Sequence, residues 1–160
     1  MNKLRTILDK ILTAFSAFLL AFMTVLVTWQ VITRFLLHSP STITEALAKY
    51  LFLWLIMITS AYIVGKRDHM NLQFFINKLP QDKRRIFGII SEAVIFLFSA
   101  AVLVYGGGYI AINAMSQMDS ALPVPVGIIY LALPAGGILC VFYSLCNIID
   151  LVKQNRGGAK

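Results

Sequence analysis

Residues 120–149 read SALPVPVGIIYLALPAGGILCVFYSLCNII, thirty residues without one Asp, Glu, Lys or Arg. A helix rises about 1.5 Å per residue, so a hydrocarbon core about 30 Å thick takes roughly 20 residues to cross. This run is long enough with residues to spare. Its start is not helix interior, because Pro123 and Pro125 each remove a backbone donor and constrain the residue before them. Leu122-Pro123-Val124-Pro125 is therefore read as a tight turn, with a span beginning near Val126. Pro134, followed by Gly136-Gly137, predicts a kink within that span.

Outward from this stretch lie three more charge-free runs, at 93–118, 50–65 and 11–33, of 26, 16 and 23 residues. The four runs cover 95 of 160 residues, the chain is 13% charged, and the mean hydropathy is +0.80. A soluble domain carries about a quarter charged residues. A soluble enzyme, a secreted disulfide domain and a disordered tail are thereby excluded. The shortest run is lengthened by Ala46-Leu47-Ala48, with Lys49 snorkelling to the interface. The basic amino terminus before the first run resembles a signal peptide. However, the run is longer than a usual signal core and no convincing small-x-small cleavage site follows, so it is expected to remain as a span. The expected fold is an all-α integral membrane protein with four transmembrane helices in a single domain, 1–160. Its spans fall at about 11–36, 45–65, 90–118 and 126–150, with a loop at 66–89.

The net charge of +7 would suggest nucleic acid on a soluble domain. Here it flanks membrane spans. Twelve of the 14 basic residues fall before the first span, between the second and third, or after the fourth. Positive residues mark the cytoplasmic side, so both termini are expected there. Arg34 and Lys49 fall on the other side, beside Glu45 and Asp119.

Residues 2–10 carry Leu4, Ile7 and Leu8 in helical register with Ile11, and Lys3, Arg5 and Lys10 can reach lipid headgroups. They form either a short amphipathic lead-in or the early start of one continuous first helix. In the basic loop, Met70, Leu72, Phe74, Phe75, Ile76 and Leu79 interleave with polar residues before Pro80. This reads as a short interfacial helix, the alternative being a solvated loop. Thr42-Ile43-Thr44-Glu45 fits a capping box opening the second span, with Thr42 as cap.

Chemistry is hard to place in these spans. All 21 charged residues lie outside the four runs, whereas ion-coupled carriers and proton relays place ionisable groups in the membrane. Glu45 and Glu92 sit only at the edges. His38 and His69 fall at opposite faces and cannot share a haem. Cys140 and Cys146, six residues apart on one helix, form neither a disulfide with each other nor a CxxC pair. No catalytic, cofactor or metal site is expected. Gln30, Asn113, Gln117 and Asn147 either hydrogen-bond helices together or line a solute path. Gly106, Gly107 and Gly108 suggest a helix-packing site or bend, as do Pro134 and Gly136 in the fourth span. Arg34, Glu45 and Lys49 cluster at the outer face as a solvated ring or a docking patch. Trp54 lies deep enough in its helix to pack against a partner.

These residues also carry a family pattern. Arg34-Phe35 ends the first span, and Glu45-Ala46-Leu47-Ala48-Lys49-Tyr50-Leu51-Phe52-Leu53-Trp54 opens the second. Gly65-Lys66-Arg67-Asp68-His69 follows it, and Leu122-Pro123-Val124-Pro125-Val126-Gly127 with Leu131-Ala132-Leu133-Pro134 builds the fourth. In order and spacing the chain resembles the small membrane subunit (Q, or DctQ-like) of tripartite ATP-independent periplasmic (TRAP) transporters. Of that family's acidic pair only Glu45 is present, since Ala46 replaces the second acid. The resemblance implies a non-catalytic scaffold in the bacterial inner membrane. Its partners would be a large multi-span permease (M) subunit, a periplasmic substrate-binding protein and the phospholipid bilayer, with no nucleic acid. It further implies sodium-coupled import of an organic acid such as sialic acid or a C4-dicarboxylate. Arg34, Glu45, Lys49 and Trp54 would be the partner contacts, and Lys3, Arg5, Arg67, His69, Arg84 and Arg85 the headgroup contacts. The alternatives are a self-sufficient homo-oligomeric exporter or channel, and a membrane anchor for a redox complex.

Overall fold

The structure, a computed structural model, describes the backbone of residues 2–36, 41–66 and 81–157, and side chains within 5–36, 41–66 and 86–152. Helix α1 (Asn2–Phe35) is continuous over 34 residues, so the amphipathic lead-in and the first span are one helix. Helix α2 (Thr42–Lys66) is the second span. The third begins as α3 (Gln81–Phe98), passes through a π-helical segment (Ser99–Gly106), and ends in α4 (Gly107–Asn113) and a 3-10 turn (Ala114–Ser116). Residues 81–89, read as loop from the sequence, are thus already helix. The fourth span is α5 (Val126–Tyr130) followed by α6 (Ala132–Gly157). Among the described residues, four helical stretches are long and apolar enough to cross a membrane: Arg5–Phe35, Thr42–Lys66, Ile86–Ser116 and Val126–Val152. The all-α, four-span reading holds. The interfacial helix expected near 70–80 lies outside the described residues.

Local chemistry sets the ends of these elements. The cap of α2 is Ser41 rather than Thr42. The Thr44 N–H donates to Ser41 Oγ at 3.5 Å and the Glu45 N–H to the Ser41 carbonyl at 3.4 Å. Glu45 does not reach back to the helix start, because Lys49 one turn on holds its carboxylate. The turn between spans three and four is closed by backbone bonds from Val126 N–H to Gln117 O (2.9 Å) and from Asp119 N–H to Val124 O (3.2 Å). Asp119 Oδ1 accepts from the N–H groups of Ala121 (2.6 Å) and Leu122 (3.2 Å), where the following prolines leave few donors. Pro134 has no N–H for the Tyr130 carbonyl, and the helical ladder lapses at Leu131. Bonds from Leu131 N–H to Gly127 O and from Ala135 N–H to Leu131 O, both 3.1 Å, carry the helix through this break.

The spans pack side by side in the order one, two, four, three. Leu12, Leu19, Leu26 and Thr33 are buried at seven-residue intervals along α1, which makes its contact with α2 a heptad seam. The core joins Leu12 and Leu19 to Ile58, Ala61 and Val64 of α2 and to Cys140 and Tyr143 of α6. Spans two and four run parallel, and glycine lets them close up. A Cβ at Gly136 would fall 2.9 Å from Met57 Cβ, and one at Gly65 would fall 2.6 Å from the Tyr143 ring. Spans three and four run antiparallel, with Gly137 against Leu103 and Gly107 against Leu133. In lipid, burying apolar surface gains little, so close van der Waals contact across small residues has to hold helices together. One end of the array carries the start of α1 and the end of α6, and the other carries the turn at 117–125. They are the terminal end and the hairpin end below.

Candidate functional site

At the terminal end the four spans meet through polar atoms. Asn147 of α6 is fully buried. Its Nδ2 donates to Glu92 Oε1 of the third span at 3.0 Å and to the Val64 carbonyl of α2 at 3.0 Å. Its Oδ1 accepts from Arg5 Nη2 of α1 at 3.0 Å. Arg5 Nη2 also donates to the Gly65 carbonyl, and Nη1 lies 3.3 Å from Asp150 Oδ2. Ser144, buried beside Asn147, donates to the Glu92 carbonyl at 2.7 Å and lies 3.0 Å from Glu92 Oε2. One turn deeper, the Tyr143 hydroxyl donates to Asp9 Oδ1 at 2.6 Å.

Three causes bring these groups together. Val64 and Gly65 lie in the last turn of α2, and Asn147 and Arg5 supply donors to their carbonyls. Gly65 lets Tyr143 lie close against α2, which brings the neighbouring turn of α6 within reach of those carbonyls. Antiparallel α1 then presents Arg5 and Asp9, four residues apart, to one face of α6. The bonds are mutual and largely buried. Such a network stiffens structure, because leaving any member unpaired in a low-dielectric interior is costly.

At the hairpin end, Lys49 Nζ and Glu45 Oε1 form an ion pair at 2.7 Å with both side chains more than half exposed. Arg34, also exposed, stays out of that pair and lies with its guanidinium carbon 5.8 Å from the Phe35 ring centroid.

The structure sorts the other expected positions. Trp54, expected to face a partner, is partly buried and packs against the chain's own core. Arg5, expected at headgroups, turns into the array, because buried carbonyl and amide acceptors lie within its reach. Lys3, Arg84 and Arg85 sit on described helical backbone, but their side chains lie outside the described residues, as do Arg67 and His69 entirely. A Cβ at Gly107 would fall 2.7 Å from Leu133 Cβ and one at Gly136 2.9 Å from Met57 Cβ, so both glycines face a neighbouring helix too close for a side chain. A Cβ at Gly106 would meet only its own span's Ala101 carbonyl, at 3.6 Å, and one at Gly108 would enter open space. Of the polar span residues, Asn113 and Gln117 are exposed and Gln30 is half-buried, while Asn147 is the network's centre.

Sequence reasoning missed Glu92, Ser144, Tyr143 and Asp9 as partners, and Gly65, Gly137 and Gly127, where a Cβ would run into the Ala111 carbonyl and Met115 of the third span, as contact points. A usable signal existed. Arg5 and Asp9 at i, i+4 match Tyr143, Asn147 and Asp150 at i, i+4, i+7 on a helix of opposite direction.

A family model for the DctQ component of tripartite ATP-independent periplasmic transporters matches residues 23–154. The chain belongs to this family. As a DctQ-family subunit it is a transporter component and not an enzyme, and its four apolar helices make it a multi-pass protein of the bacterial inner membrane. It is 30% identical over 157 residues to the sialic acid TRAP transporter small permease protein SiaQ of Vibrio cholerae, covering 98% of this chain and 90% of that one. The C4-dicarboxylate TRAP transporter small permease protein DctQ of Rhodobacter capsulatus is 28% identical over 99 residues, 61% of this chain and 44% of that one. The sialic acid TRAP transporter permease protein SiaT of Haemophilus influenzae is 26% identical over 113 residues. That match takes in 71% of this chain but 18% of SiaT, so a DctQ-like segment there is part of a far longer permease chain.

Proposed function

We propose that this chain is the non-catalytic scaffold subunit of a sodium-coupled TRAP transporter that imports an organic acid, of the kind for which SiaQ and DctQ are named. It braces a large permease subunit in the membrane. A periplasmic binding protein delivers the substrate, and the terminal end faces the cytoplasm. The observation that carries this reading is the contrast between the chain's polar and apolar groups. At the terminal end Arg5, Glu92, Ser144 and Asn147 bond to one another, while even the best-covered span, the fourth, buries only 39% of its most apolar 18 residues within the chain. Such a body offers apolar sides to lipid and to another membrane protein. The SiaT match supports a large permease as that neighbour, since the matched segment makes up only 18% of a chain named as a TRAP transporter permease.

Arg34, Glu45 and Lys49 are the proposed polar contacts to the permease at the hairpin end. Lys3, Arg67, His69, Arg84 and Arg85 meet lipid headgroups at the terminal end, where positive charge favours the cytoplasmic leaflet.

The test is reconstitution. The chain alone in liposomes is expected to move no sialic acid or C4-dicarboxylate. Uptake is expected only with the large permease and the binding protein present and an inward sodium gradient imposed. Sodium-dependent uptake by the chain alone would overturn the scaffold role.

A further inference from the structure

Span one lies along span two, yet its first turns reach past it to span four. The reach is ordered. Asp9 meets Tyr143 one turn into the array, and Arg5 meets Asn147 and Asp150 nearer the end, as antiparallel helices require. Asn147 then passes the connection to the Val64 carbonyl of span two and to Glu92 of span three. Among the described residues this is the one place where all four spans meet through polar atoms. The side-chain bonds at the hairpin end are local by comparison: Glu45 with Lys49, Ser41 with Thr44, and Asp119 with its own turn.

We infer that the first turns of α1 are a strap, with Arg5 and Asp9 as its two fastenings and Asn147 as the hub, that clamps the four spans into one stiff unit at the terminal end. The hairpin end is left as the more yielding one. The purpose rests on the scaffold reading, because a brace must be rigid where it is fixed. The clamp itself is a property of the chain. Arg5 suits the task because a guanidinium places several donors in a fixed fork and so serves a carbonyl, an amide oxygen and a carboxylate together. Hydrogen bonds to charged groups are worth more than neutral ones, so losing this side chain is felt by every span it ties.

The experiment is amide hydrogen exchange, read by mass spectrometry, on the small subunit co-purified with its large permease in lipid nanodiscs. Wild type is compared with Arg5→Gln, Arg5→Lys and Asn147→Leu. Arg5→Gln and Asn147→Leu are expected to speed exchange roughly tenfold or more at 60–66 and 143–152, with 114–126 unchanged. Arg5→Lys keeps the charge but not the fork, and is expected to fall between them and wild type. Faster exchange confined to residues 2–12 would reduce the strap to local fraying, and an equal rise at both ends would remove the distinction between them. Either overturns the inference. Failure of the permease to co-purify with the wild-type chain would instead count against the scaffold reading, and the same exchange comparison would then be run on the chain alone in nanodiscs.

Discussion

Asn147 on the fourth span and Glu92 on the third are joined by a 3.0 Å hydrogen bond in which the amide donates to the carboxyl, and both side chains are buried. Fifty-five residues separate them in sequence. The bond matters because each partner has a second obligation: Asn147 to Val64 and Arg5, and Glu92 to Ser144.

Asn147→Leu keeps the volume roughly constant but strands the Val64 carbonyl, one Glu92 oxygen and part of the Arg5 fork. Destabilisation of about 1–3 kcal/mol is expected, since stranded buried polar groups cost that much and interhelical bonds in membranes are worth roughly 0.6–2 kcal/mol. Thermal melting of the purified protein in detergent checks it. A melting temperature equal to wild type would mean that water replaces the amide at this depth.

Gly65→Ala and Gly108→Ala make a matched pair. At Gly65 the new methyl would fall 2.6 Å from the Tyr143 ring, so the ring must move and strain its bond to Asp9. A loss of about 1–3 kcal/mol is expected, as for overpacked cores. At Gly108 the added methyl would have nothing within 4 Å beyond its own helix turn, so alanine should be neutral or stabilise by up to about 1 kcal/mol through helix propensity. Equal melting temperatures for the two variants would contradict the packing assigned to Gly65.

Glu45→Ala removes an exposed ion pair, and exposed pairs contribute little to folding. Melting should be unchanged, while co-purification with the large permease and substrate uptake should fall modestly without being abolished. The swap Glu45→Lys with Lys49→Glu restores the internal pair but not the placement of charge toward a partner. Recovery of uptake in the swap would show that only the pair itself matters.

Asp119→Ala removes the acceptor for two backbone N–H groups in the turn between spans three and four. A cost of about 1 kcal/mol is expected, and Asp119→Asn, which keeps a carbonyl acceptor, should recover most of it. Limited proteolysis at 117–125 is the sensitive readout, with faster cleavage in the alanine variant. Equal cleavage would leave the backbone bonds of Val126 and Asp119 as the turn's only fastening.

The sequence by itself determined the class, the number of spans and the family. Three charge-free runs longer than a hydrocarbon core is thick, and a fourth lengthened to that span by Ala46-Leu47-Ala48, admit few other solutions in water, and the motifs around Arg34, Glu45 and Pro125 stand in family order. Local chemistry was also legible at Pro134 and at the 122–125 turn, because a proline acts on its own neighbours whatever surrounds it. The cap of α2 was misread by one residue, since serine and threonine in succession both fit and only the path of the chain selects Ser41. Tertiary structure alone decided which glycines are contact points, and it chose Gly65, Gly127 and Gly137 over Gly106 and Gly108. A missing side chain is informative only where another helix comes close. It also decided that Arg5 turns inward rather than to lipid and that Glu92 belongs to a network. Arg5, Gly65, Glu92 and Asn147 lie far apart along the chain. Apolar runs set how many helices there are, but in lipid they do not set which faces meet, because every face is nearly as apolar as the next. That choice falls to close-fitting glycines and a few buried polar bonds, which exist only once all four spans are side by side.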